Sequence, residues 1–204
     1  YDIKHKGGGA FDQRNAVYEL NQSQRRWSVS DVEGGVGAPF NSAGDPRVMI
    51  DTDVGIGFDE STPLYQQLKY PSWDADAVLA TGIDARLIEA EAALAGDDAV
   101  TWLGILNTLR ATQTLPDLVD PGTDTDRWLM HFSEHGFWTF STAQRLGLAR
   151  RMVLFHGLTD DQVMPNGPFF KGGVYGTDVN FIIPFDDNID TGEVTRTGCT
   201  SRAW

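Results

Sequence analysis

One cysteine, Cys199, is all the thiol chemistry this chain carries. That excludes an intrachain disulfide and any cysteine-rich metal knuckle, and leaves an inert thiol or one that pairs with a residue outside the chain. A nucleophilic role would need a histidine held beside it, and none is near in sequence. Long apolar runs are missing too: no stretch approaches the roughly 18 residues that read as a membrane-spanning helix. Basic residues are scarce, 16 against 29 acidic ones, for a net charge of −13. Such a field gathers cations and repels polyanions, and the cluster Arg145, Arg150 and Arg151 is too small to reverse it, so nucleic acid is excluded as a partner. Neither a signal peptide nor a lipidation cysteine opens the sequence. The polar, glycine-rich start at Tyr1 leads us to expect that the chain begins inside a larger product.

What is present is a composition for folding with much irregular backbone: 41% hydrophobic and 11% aromatic residues, with 22 glycines and 9 prolines among 204 residues. A chain of this length can remove roughly 70% of its unfolded surface from water. We expect one mainly α unit over 1–204, with a helical body at about 80–156 and loop-rich segments at 1–79 and 157–204.

Residues 1–48 are broken by Gly7-Gly8-Gly9 and by the run from Gly34 to Pro39, which predicts loops and at most one short helix near Asn15–Leu20. Asp45-Pro46-Arg47-Val48 reads as a turn into an extended piece. Residues 50–76 read as loop and edge strand laid over the helices. From 80 to 111 the period becomes helical. Ile83, Leu87, Ala90 and Leu94 share one face while Asp84, Arg86, Glu89 and Glu91 point elsewhere. Gly96 stops that helix and Asp97 is the expected N-cap of the next. Trp102, Ile105, Leu106 and Leu109 form its stripe, and the small Ala90, Ala92, Ala93 and Ala95 allow the two helices of an antiparallel hairpin to approach closely. A third helix at 125–135 buries Trp128, Leu129 and Phe132. A fourth begins near Thr139–Ser141, where Ser141 and Gln144 fit a capping box. After Gly157 helical periodicity ends, with short extended pieces at Val174-Tyr175 and Val179–Pro184, the latter edge or terminal because of its proline.

His131 and His135 have the i,i+4 spacing that lets two imidazoles reach one metal. The zinc-peptidase order His-Glu-x-x-His is not met, since Glu134 directly precedes His135, so surface or capping histidines are expected instead. Asp186, Asn188 and Asp190 have the one-three-five spacing of oxygen ligands in calcium loops. Thr191 stands where that loop needs glycine and Thr197 where it needs glutamate, which leaves a looser calcium loop to weigh against a solvated acidic turn. Asp51, Asp53 and Glu60 pose the same choice. No cofactor is required, and calcium is the candidate if one binds. Trp102, Trp128 and Trp138 lie in helical sequence and belong to the core. Trp27, Trp73 and Trp204 fall in irregular segments, where a flat ring can stack on a sugar face or pin its loop to the body; they are the candidate ligand-binding residues.

Several runs in order along residues 40–200 resemble landmarks of the SusD/RagB family: Asp45-Pro46-Arg47-Val48, Gln67-Leu68-Lys69-Tyr70-Pro71, Gly82 through Ala92, Leu106 through Ala111, Phe137-Trp138, Arg145-Leu146-Gly147 and Pro165-Asn166-Gly167-Pro168. The resemblance implies a SusD-like body of tetratricopeptide-like helix pairs with long irregular loops and a few short strands. It also implies a surface-exposed outer-membrane lipoprotein, anchored through an amino-terminal lipid absent from this chain. Such proteins cap a SusC-like TonB-dependent transporter barrel and pass it glycans, peptides or other small nutrients. The pattern departs at Glu134-His135-Gly136, where relatives tend to have glutamate-arginine-alanine. The leading expectation is therefore a non-enzymatic nutrient binder. A scaffolding protein that self-assembles at a surface is the alternative, and a carbohydrate-active enzyme, which would need two carboxylates flanking a cleft, is the third.

Overall fold

The computed structural model describes residues 2–6 and 13–176. Its body is a set of four longer helices, α2 (Gly82–Ala95), α3 (Ala99–Ala111), α4 (Asp124–Trp138) and α5 (Arg145–His156), followed by the single turn α6 (Asp160–Val163). Ahead of them, α1 (Ala16–Tyr18) runs into a π-helical turn at Glu19–Ser23. Four two-residue strands make two antiparallel pairs, β1 (Asp2–Ile3) with β4 (Ala77–Val78) and β2 (Ile50–Asp51) with β3 (Gln66–Gln67). The chain is thus mainly helical, with irregular loops pinned by minimal strand pairs.

Side-chain caps start α2, α3 and α4, whereas the N-cap of α5, Gln144, makes no side-chain cap bond. Thr81 and Asp84 form a reciprocal capping box on α2, and the Thr123 side chain accepts from the Asp126 amide at the start of α4. The α2–α3 hairpin forms as its periodicity predicts, with Leu87, Ala90, Trp102 and Leu106 all 0% exposed. Each such leucine contributes about 1.5–3 kcal/mol by leaving water. Ala90 and Ala93 face the core, whereas Ala92 and Ala95 are exposed, so half of the alanine run serves the close approach. Trp128, Phe132, Leu148, Ala149 and Met152 bring α4 and α5 into the same core, and Leu158, Val163 and Met164 close its end. A smaller cluster of Ala38, Val48, Phe137 and Phe140 fastens the leading loops to the last turn of α4.

Several boundaries differ from expectation. Asp98, not Asp97, caps α3, because Asp97 takes φ +60° to turn the chain after Gly96. Ser141 sits at φ +63° in a tight turn after α4, a geometry that removes it from any capping box, and α5 starts three residues later than that box implied, at Arg145. Helical structure also returns after Gly157, where Thr159 and Gln162 cap the one turn of α6. Glu91 lies off the apolar stripe, as its spacing implied, and turns onto Arg151 and His156.

Candidate functional site

Two loop segments zip together to form a groove. Arg25, at φ +56°, leads the chain out of the π-helical turn, and its carbonyl accepts from the Phe58 amide at 2.8 Å. Its guanidinium donates back to the Ile56 carbonyl. Ser28 then serves both sides, donating to the Pro63 carbonyl at 2.7 Å and accepting from the Tyr65 amide at 2.9 Å. The Val29 amide donates to the Tyr65 carbonyl at 3.0 Å. A third loop is brought in by Lys171, whose ammonium pairs with Asp59. Near the same wall Gly34 holds φ +70° and gives its carbonyl to the Asn166 amide; a Cβ on it would lie 2.5 Å from Pro165 Cβ, so only glycine permits this approach.

The result is a groove of about 720 Å³ lined in part by Trp27, Phe58 and Phe170, which are 52%, 67% and 59% exposed. Three large rings are left to water on loops tied by hydrogen bonds, and exposed rings on fixed loops have the geometry that stacking on a flat apolar face requires. Cations flank the rings: the Arg26 guanidinium lies 4.8 Å from the Phe58 centroid and Lys171 Nζ 5.5 Å from that of Phe170. The acids of the groove are already engaged. Asp31 accepts from the Asn41 and Ser42 amides, and the bond from the Ser42 amide is the main reason its carboxyl lies below the usual range. Asp59 is held well below that range by Lys171 first and then by Thr62. Glu33 accepts from the Tyr175 hydroxyl.

The predicted ligand tryptophans separate. Trp27 lines the groove, but Trp73 pins its own loop, edge-on to Tyr18 at 5.8 Å with the Arg14 guanidinium 5.0 Å from its ring, and it is not among the groove's residues. Trp204 and the candidate calcium ligands Asp186, Asn188 and Asp190 lie outside the described residues, as do Cys199 and the extended piece at 179–184. Asp51, Asp53 and Glu60 are exposed, and the Asp51 carboxylate accepts from the Asp53 amide. Trp102 and Trp128 are buried and Trp138 half-buried, in keeping with a core role.

Two polar clusters inside the body were not visible as such in the sequence. In the first, Glu134 accepts from Arg47 at 2.7 Å and from Arg110 at 2.6 Å, while Asp45 takes the other edge of the Arg47 guanidinium at 2.6 Å. This network clamps the 45–48 turn onto α3 and α4. In the second, Glu91 of α2 accepts from Arg151 at 2.8 Å and lies 3.0 Å from His156 Nε2. Beside it stand His131 and His135, which are buried rather than on the surface; His131 Nδ1 accepts from the Trp102 indole at 3.3 Å. Among the described residues, Glu91, His131 and His135 offer donor atoms close enough together to share one metal ion. Their signal was in the periodicity: both histidines follow Trp128 at +3 and +7, on the buried face of α4.

Comparison of the chain with known protein families, with curated proteins and with solved structures returns no match.

Proposed function

We propose that the protein captures a nutrient without transforming it, holding a glycan or another small molecule with flat apolar faces in the Trp27 groove. The observation that carries this reading is the set of exposed rings, Trp27, Phe58 and Phe170, on one groove whose loops are already fixed by hydrogen bonds. A pre-formed site spends little of its binding energy on ordering loops, and its aromatic walls offer stacking while its charged groups offer hydrogen bonds to hydroxyls. The state of the acids favours binding over catalysis. A general acid needs a carboxyl whose pKa is raised, whereas Asp31 and Asp59 are both held ionised. The mainly helical body and the landmark runs from Asp45 to Pro168 support a SusD-like place for this binder, at the outer-membrane surface, delivering ligand to a SusC-like TonB-dependent transporter barrel.

Affinity electrophoresis through gels that contain individual polysaccharides tests the binding, and isolation of the protein from its native membrane tests the partner. Retardation by one polysaccharide without release of new reducing ends, together with co-isolation of a barrel, is the expected outcome. Release of reducing ends would replace the reading with a carbohydrate-active enzyme. A ligand-indifferent homopolymer would replace it with the scaffolding role.

A further inference from the structure

None of the residues of the α2–α4–α5 histidine cluster lines the Trp27 groove. One donor atom each from Glu91, His131 and His135 lies within 4.8 Å of the other two. His131 is 0% and His135 3% exposed, and His131 Nε2 and His135 Nδ1 have no hydrogen-bond partner although both are shut away from water. A buried ring nitrogen without a partner loses its hydration and gains nothing, so two of them beside one carboxylate call for an explanation. We propose that Glu91, His131 and His135 hold a divalent cation of the zinc type, bridging α2 to α4.

The donor set selects the metal. Two imidazole nitrogens and one carboxylate oxygen suit zinc and its neighbours, whereas calcium and magnesium take oxygen ligands. The i,i+4 spacing puts both rings on one face of α4, and Glu91 comes from the facing helix. Separations of up to 4.8 Å exceed the roughly 3.3 Å between ligands of a tetrahedral ion bound at about 2.0–2.1 Å, so side-chain rotations draw the three inward on binding. A cleft of about 450 Å³ lined by Glu91, His135, Arg151 and His156 gives the ion a way in and a water room for the fourth position.

Two neighbours shape the site. Arg151 grips Glu91 through Nε at 3.1 Å and Nη2 at 2.8 Å, and as a cation it competes with the metal. Trp102 donates to His131 Nδ1 at 3.3 Å, the weak end of the range, which places the proton of the neutral ring on Nε2, 3.9 Å from Glu91 Oε2. Ligation through Nε2 moves the ring proton to Nδ1 and breaks the indole contact, so Trp102 yields and its emission reports the event.

The full chain, stripped with chelator, is titrated with Zn²⁺ and with Co²⁺ as a spectroscopic probe. One ion per chain, visible Co²⁺ bands of a four- or five-coordinate ion and a change in tryptophan emission are expected. Glu91→Gln and His135→Asn lower the affinity by roughly 10–100-fold or more, while Arg151→Gln, which removes the competing cation, raises it. No saturable uptake by the wild-type chain overturns the proposal, as does undiminished uptake by folded His135→Asn. If circular dichroism shows that the ligand variants have lost their fold, the wild-type Co²⁺ spectrum and Arg151→Gln decide: absent bands, or weaker binding by Arg151→Gln, refute the site.

Discussion

Replacing Glu134 with glutamine would keep the shape of a buried side chain and delete the charge that two guanidinium groups share. The Arg47, Arg110 and Glu134 side chains are only 3%, 11% and 8% exposed. With Asp45 the four groups sum to zero charge. In Glu134→Gln the Arg47–Asp45 pair survives, but Arg110 is left with neutral acceptors alone, the Pro116 carbonyl at 2.7 Å and at best the glutamine oxygen, and becomes a buried cation without its carboxylate. Breaking a buried pair in this way costs about 3–5 kcal/mol. That is a large share of a total stability on the order of 5–15 kcal/mol. Urea unfolding followed by tryptophan fluorescence should show the midpoint fall with the slope unchanged. The double variant Arg110→Met with Glu134→Gln removes the orphaned cation as well, so it should be less destabilised than the sum of the single variants by about 1–3 kcal/mol. A loss below about 1 kcal/mol for Glu134→Gln, or strict additivity in the cycle, would refute the claim that this network clamps the leading loops to the helices.

Two further outcomes follow from particular contacts. Gly34→Ala combines a left-handed φ with a Cβ 2.5 Å from Pro165 Cβ, so it should lower stability by at least about 1–3 kcal/mol, and an unchanged melting temperature would contradict the packing described. Acid should weaken the fold, with chelator present. The folded pKa of His135, about 4, is below its ordinary 6.5, so in that interval the unfolded chain binds a proton that the fold refuses; stability therefore falls as pH drops through that window, by up to about 3 kcal/mol. Glu91 adds to this. Its desolvation is outweighed by His131, whose Nε2 lies 3.9 Å away, and by the bonds from Arg151 and His156, which hold its carboxyl below the ordinary 4.5, so its stabilisation is present above that pH and is lost in stronger acid. Denaturant midpoints that stay flat from pH 7 to pH 5 would contradict the burial of His135.

The hairpin was legible because a period of 3.6 set its leucines and Trp102 on facing stripes, and local propensity agreed with tertiary packing there. Its N-cap was displaced by one residue because two adjacent aspartates compete and only Asp98 keeps a negative φ. The Ser141 box failed because a tight turn after Thr139 overrode a pattern that is favourable only locally. The histidines of α4 were misplaced for a different reason: a polar residue on the buried face is stable only with partners, and theirs come from Trp102 and from Glu91, which sequence spacing on α4 does not display. The groove was less legible still. Trp27 was a candidate as a loop aromatic, but Phe58 and Phe170 join it through contacts such as those of Ser28, Arg25 and Lys171, between segments 25–31, 55–65 and 170–171, which carry no periodic signal.

The groove itself is tested most directly by isothermal titration calorimetry of the retained oligosaccharide against the wild-type chain, Trp27→Ala and Trp73→Ala. Trp27→Ala should lose at least about tenfold in affinity, near 1.4 kcal/mol, because its ring forms the wall of the site. Trp73→Ala should bind as the wild type does, since that ring only secures its own loop. Equal losses in the two variants, or none in Trp27→Ala, would contradict the assignment of ligand capture to this groove.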